Sequence, residues 1–165
     1  MYFEKIYTII VSDGKKIEVN KEDLDYCITL RDLFENVEFC SNEPIYLSDI
    51  DSDIFNKILE WIQYHRNNRN IYIPDKDDMS IENLCEFDKT FLSPSLEFKD
   101  LTFKLIIAVN YLNINDLLNI CCLNISEMMK EKSVEELRNI FDVENDYTLE
   151  EEKWVKEENK MNEEN

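Results

Sequence analysis

The chain reads as a mixed α/β (α+β) protein, a small N-terminal sheet followed by helices. Period-two alternation is confined to its N-terminal part, helical spacing dominates from Ser52 onward, and two capped acidic helices close it. Glu4 to Val11 is rich in Ile, Tyr, Thr and Val, Ser12-Asp13-Gly14-Lys15 turns the chain, and Lys16 to Val19 alternates polar and apolar. Together they predict an opening β-hairpin. Lys21 to Tyr26 and Thr29 to Phe34 predict short helices, since Leu24, Leu30, Leu33 and Phe34 fall on one side. Pro44 to Leu47 predicts a short strand added to the same sheet.

Ser52 to His65 predicts a helix packed across that sheet, with Ile54, Phe55, Ile58, Leu59 and Ile62 repeating at three and four residues. Arg66 to Asp88 is Asn- and Asp-rich and interrupted by Pro74, so it is expected to be an irregular, partly mobile connection tolerant of insertions. Leu101 to Leu112 is apolar on nearly every side, which predicts a helix central to a packed domain. Asn113-Ile114-Asn115-Asp116 breaks it, and Leu117, Leu118, Cys121, Cys122, Ile125, Met128 and Met129 form a wide stripe on the next helix, part core and part exposed.

Ser133-Val134-Glu135-Glu136 and Thr148-Leu149-Glu150-Glu151 are capping boxes, in which a hydroxyl and a glutamate three residues on satisfy the free amides of a helix start. They predict helices over Val134 to Phe141 and Leu149 to about Met161. The first offers only Val134, Leu137, Ile140 and Phe141 to a neighbour, the second only Leu149, Trp154, Val155 and Met161. Burying so few large side chains does not offset the conformational entropy of ordering both segments. The two helices are expected to gain order from a partner protein.

At 165 residues there is room for one ordinary domain, and a hydrophobic fraction of 44% places the chain among folded proteins despite 33% charged residues. The formal net charge of -19 repels phosphate and anionic lipid, so nucleic-acid and membrane-surface binding are not expected. The charge is uneven: Asp142 to Asn165 carries ten acidic residues against three lysines. No apolar run approaches the ~20 residues of a membrane span, and Met1 to Lys5 does not begin a signal-type segment, so a cytoplasmic and nuclear location is expected. Cys27, Cys40, Cys85, Cys121 and Cys122 form an odd set without CxxC spacing, read as reduced core residues. Gly14 is the sole glycine, which excludes a phosphate-cradling Gly-rich loop; His65 is the sole histidine, which leaves no two-His metal site and weakens any Ser or Cys triad. No cofactor, metal or catalytic residue is expected. Asp75, Asp77 and Asp78, or Glu150 to Glu152, would be the carboxylates of an enzymatic reading, but nothing around them suggests an enclosed site.

The run Leu105 to Leu118 (LIIAVNYLNINDLL), Met129 to Arg138 (MMKEKSVEELR from Met128) and Phe141 to Glu152 (FDVENDYTLEEE) resembles the S-phase kinase-associated (Skp) adaptor family of SCF ubiquitin ligases. Ser12-Asp13-Gly14, Pro44-Ile45-Tyr46-Leu47, the helix ending Trp61 to His65, and Phe87 to Leu92 extend the resemblance over nearly the whole chain. It implies a BTB/POZ domain over residues 1–131, cullin-binding and carrying the irregular loop 66–86, followed by a helical extension over 132–165 that grips the F-box of a substrate receptor. The protein would then be a noncatalytic bridge between F-box proteins and a cullin N-terminal domain.

By that resemblance Asn110 and Tyr111, with Pro44 and Ile45 as weaker candidates, face the cullin. Phe103, Leu118, Cys122, Ile125, Met129, Phe141, Val143, Asn145, Asp146, Tyr147, Val155, Asn159 and Met161 meet the F-box. Phe103, Leu118 and Phe141 are equally well explained as plain core. Met and Cys suit a face that adapts to varied partners, and the acids around Asp146 and Glu150 to Glu152 would speed encounter with basic ones. The chain departs from the family in three places. Met161 stands where many members have Trp, with Trp154 earlier on the helix; Leu149 replaces a proline that some members modify; and Phe87 replaces a Trp. An elongin C type adaptor lacks the extension, and a kinetochore or other scaffold using the same helices, or a homodimer of the free protein, is left open.

Overall fold

The computed structural model describes residues 6–36, 44–68, 80–91, 99–130 and 132–163, with the side chains of 34–36, 99, 100, 156 and 159–163 outside the description. The expectations for Glu4, Phe34, Cys40, Pro74, Asp75, Asp77, Asp78, Leu92, Asn159 and Met161 therefore lie outside the described residues or side chains. By contacts the chain divides into two compact units, Met1–Met128 and Met129–Asn165.

In the first unit, β1 (Ile6–Val11) and β2 (Lys16–Asn20) form the expected antiparallel hairpin, with Ile9 opposite Ile17. Tyr7, Ile9 and Val11 point into the core while Ile6 is exposed, as period-two alternation requires. The turn closes with Gly14 at φ +77°, a left-handed conformation that glycine adopts without strain. β3 (Ile45–Leu47) adds parallel to β1, giving the order β2-β1-β3 among the described residues. Asp13, Lys15 and Ser52 join the hairpin turn to the next helix: Ser52 Oγ donates to Asp13 Oδ2 at 2.7 Å and accepts from Lys15 Nζ at 2.7 Å.

The short helices α1 (Lys21–Leu24) and α2 (Ile28–Asn36) follow the hairpin. The long helix α3 (Ser52–Asn67) starts at Asp51, whose carboxylate accepts the Ile54 amide at 2.9 Å. It buries Ile54, Phe55, Ile58, Leu59 and Ile62 as the spacing predicts, and Trp61 and His65 besides. Its helical neighbours include α1 and α5. Arg66, near its end, pairs with buried Asp23 of α1 at 2.6 Å, a charge contact more than a directed hydrogen bond.

The expectation of an irregular connection from Arg66 to Asp88 is corrected at both ends. Arg66 and Asn67 belong to α3, a 3-10 turn forms over Ile81–Asn83, and α4 covers Glu86–Phe91. What orders α4 is a nonlocal contact. Asp88 is 2% exposed, and its Oδ1 accepts Trp61 Nε1–H at 2.9 Å and lies 2.9 Å from His65 Nε2; Cys85 Sγ donates to Oδ2 at 3.2 Å. Phe87 stacks on Tyr64 at 3.7 Å, so the aromatic that replaces a family Trp still packs against α3.

α5 (Lys99–Leu112) buries Leu105, Ala108, Val109 and Leu112, yet leaves Ile107 67% and Tyr111 55% exposed. The expectation of a helix central to a packed domain is thus corrected on one side, where Ile107 and Tyr111 stay largely exposed. Asn113 (φ 56°) ends the helix in a left-handed cap, with Ile114 N donating to Val109 O and Asn113 N to Asn110 O, both at 3.1 Å. α6 (Asn115–Met129) then buries Leu117, Ile120 and Cys121.

The second unit holds α7 (Val134–Phe141) and α8 (Leu149–Glu163). None of its described side chains is buried.

Candidate functional site

Asn110 and Tyr111, expected to face a cullin, are both exposed near the C-terminus of α5. Tyr111 follows Ile107 by four residues, so the two side chains share one face. Thr29 Oγ1 of α2 donates to the Tyr111 carbonyl at 2.8 Å, which satisfies one of the free carbonyls of the helix end and holds that turn in place. Ile45 differs from its expectation: it is 6% exposed and packs in the core, because β3 alternates and it is Tyr46, at 66% exposure, that points outward. Pro44 is half-buried beside it. The exposed apolar members that sequence reasoning missed are Ile107 and Tyr46. Ile107 shares the face of Tyr111, and alternation puts Tyr46 on the face opposite Ile45, but neither pattern alone says which face stays exposed.

Among the residues expected to meet an F-box, Leu118, Cys122, Ile125 and Met129 lie at spacings of four, three and four, and so share one side of α6. They grade from half-buried Leu118, packed against the core, to exposed Cys122 and Met129, while Ile125 is half-buried. Phe103 on α5 is half-buried. The expectation that the cysteines are core residues holds for Cys27 and Cys121, whose thiols burial pushes up to about 12, and is corrected for Cys122, which is exposed.

The extension is organised locally and at its ends. Ser133 Oγ accepts the Glu136 amide at 3.2 Å and Glu136 Oε2 accepts the Ser133 amide at 2.8 Å, a complete capping box. Thr148 and Glu151 repeat it for α8, at 3.3 Å and 2.9 Å. Each box holds its glutamate below the ordinary carboxylate value, chiefly through the backbone amide donated to it. Between the helices Asp142 adopts φ 51°, and Val143 N donates to Arg138 O at 2.9 Å, closing α7 with the same left-handed cap that ends α5. Tyr147 N then donates to Asn145 Oδ1 at 3.3 Å, and the Arg138 guanidinium lies 5.7 Å from the Tyr147 ring centroid.

These constraints shape an open concavity of about 550 Å³ lined by Glu135, Arg138, Asp142, Val143, Asn145 and Glu152. Val143, Asn145, Asp146 and Tyr147 are exposed, and Phe141 and Val155 half-buried. Val134, Leu149 and Trp154 add exposed apolar surface at 58%, 87% and 63%. A polar loop fixed by backbone bonds and flanked by exposed apolar anchors suits recognition of another protein.

Comparison with known families matches residues 5–67 to the Skp1 family, tetramerisation domain, a POZ-type domain, and residues 115–162 to the Skp1 family, dimerisation domain. The chain is 33% identical over 143 residues to "E3 ubiquitin ligase complex SCF subunit sconC" of Emericella nidulans, covering 86% of each protein. It is 32% identical over 138 residues to "SCF ubiquitin ligase complex protein SKP1a" of Dictyostelium discoideum, covering 81% of each. It is 33% identical over 141 residues to "SKP1-like protein 11" of Arabidopsis thaliana, covering 86% of each.

Proposed function

The chain belongs to the Skp1 family, and on that premise we propose that it is the noncatalytic adaptor of an SCF ubiquitin ligase. It carries an F-box substrate receptor on the α6 face and the extension, and a cullin N-terminal domain on the α5 face. The observation that carries this reading is the contrast within one chain. A unit with a dense core displays Ile107 and Tyr111, and a unit with no buried side chain among its described residues displays Val134, Val143, Tyr147, Leu149 and Trp154. Apolar surface of this kind marks association sites.

In this role the chain performs no bond chemistry. Its core fixes the separation between receptor and cullin, so that a bound substrate is presented at one position. Its BTB/POZ domain spans 1–131 and its F-box-binding extension 132–165, and the protein works in cytoplasm and nucleus. The extension's exposed, adaptable anchors let one adaptor accept many receptors, while its acidic residues speed encounter with basic ones.

The test is to measure binding of the purified protein to an F-box domain and, separately, to a cullin N-terminal domain. Asn110→Lys/Tyr111→Lys is expected to abolish cullin binding and leave F-box binding intact, and truncation after Lys132 to do the reverse. Absence of binding to either partner by the unmodified chain would refute the ligase reading in favour of a scaffold on the same fold.

A further inference from the structure

The trio that anchors α4 to α3 has a second chemical capacity. His65, Cys85 and Asp88 bring an imidazole nitrogen, a thiol sulfur and a carboxylate oxygen together, with ligand atoms all within 4.8 Å of one another. We propose that these three side chains form a site for a zinc-type divalent transition metal ion, distinct from the adaptor surfaces.

The donor set is the first argument. Nitrogen, sulfur and oxygen from His, Cys and Asp are the ligand types zinc takes, whereas calcium and magnesium call for oxygen alone. Geometry is the second. Bonds of about 2.0 Å to nitrogen and oxygen and about 2.3 Å to sulfur place neighbouring tetrahedral ligands about 3.3 to 3.5 Å apart. His65 Nε2 lies 2.9 Å from Asp88 Oδ1, and Cys85 Sγ 3.2 Å from Oδ2. Around an ion those two pairs open by a few tenths of an ångström, while the widest pair of the trio, within 4.8 Å, closes toward about 3.5 Å.

The surroundings supply the rest. Trp61 Nε1–H is bonded to Asp88 Oδ1 and would hold the carboxylate in orientation at the ion, the outer-sphere support that metal sites use. His65 and Asp88 are 4% and 2% exposed, while Cys85 is only half-buried, so an ion and a solvent ligand would enter from its side. The proton balance is simple. The Cys85 thiol proton leaves to solvent, and the imidazole proton moves from Nε2 to Nδ1. The dipositive ion replaces one released proton, so a site bearing one negative carboxylate becomes neutral.

Cobalt(II) and zinc are the probes, added to the full-length reduced protein. Cobalt is expected to give a saturable sulfur-to-metal charge-transfer band with visible bands of tetrahedral intensity at one equivalent, displaced by zinc and unaffected by magnesium or calcium. Zinc is expected to raise the melting temperature of the first unit. Cys85→Ser keeps a hydroxyl that can still donate to Asp88; with folding verified by circular dichroism, it is expected to lose the sulfur band and weaken cobalt affinity at least about tenfold. Absence of a sulfur band in the unmodified protein, or a band that persists in Cys85→Ser, would overturn the proposal. The readout involves neither F-box nor cullin, so its failure leaves the adaptor reading untouched.

Discussion

Met1–Met128 and Met129–Asn165 are built on opposite principles. The first unit gathers a continuous apolar core from its sheet, α3, α5 and α6. The second has a helix, α7, with four large apolar side chains and no buried residue, and its definition comes from capping boxes and a left-handed turn. The chain's two tryptophans show the contrast in miniature: Trp61 is fully buried and Trp154 is 63% exposed. Core burial stabilises a structure by itself, whereas caps and turns only select a conformation, which a partner then stabilises.

The largest effect that sharpens the contrast is at these tryptophans. Trp61→Ala empties a fully buried site and is expected to cost about 3 to 5 kcal/mol of stability in chemical denaturation. Trp154→Ala should move the unfolding midpoint by no more than about 0.5 kcal/mol. Equal losses would mean that the second unit has a core of its own.

Asp88→Ala comes next. It strands the Trp61 indole N–H and the His65 imidazole in the interior, and a loss of about 3 kcal/mol is expected by thermal unfolding. Loss of α4 order should accompany it, since no other described contact of that helix is both buried and polar.

Ser133→Ala removes half of a capping box and should reduce the helicity of α7 by about 1 kcal/mol of local stability, read by circular dichroism, without shifting the cooperative transition of the first unit. The smallest effect is that of acid. Glu136 and Glu151 have folded values below the ordinary 4.5, so the stabilisation they give is fully present above that value and is lost as pH falls through the lower folded one. Helicity of the second unit is therefore expected to fall with acidification below pH 4.5, as followed by residue-resolved NMR.

Local signals explain what the sequence made legible. Alternation and Gly14 placed the hairpin, period-3.6 spacing placed α3, and two hydroxyl-to-glutamate pairs placed the starts of α7 and α8 to the residue. α4 was hidden because its order comes from Trp61 and His65, more than twenty residues earlier in the chain, and no local pattern in Glu86–Phe91 announces them. α5 is apolar on nearly every side, so spacing alone could not say that Ile107 and Tyr111 stay exposed while Leu105 and Val109 are covered. At the candidate surfaces, the family resemblance pointed to Tyr111, Val143 and Tyr147, which are exposed, but only strand direction separates buried Ile45 from exposed Tyr46.

The measurement that bears most directly on this contrast is amide hydrogen exchange on the full chain, alone and with an F-box domain. Amides of α3, α5 and α6 are expected to be protected in both states, and those of Val134–Phe141 and Leu149–Glu163 to exchange rapidly in the free chain and slow markedly on binding. Protection of α7 and α8 in the free chain equal to that of α5 would contradict it, because the second unit would then be stable without a partner.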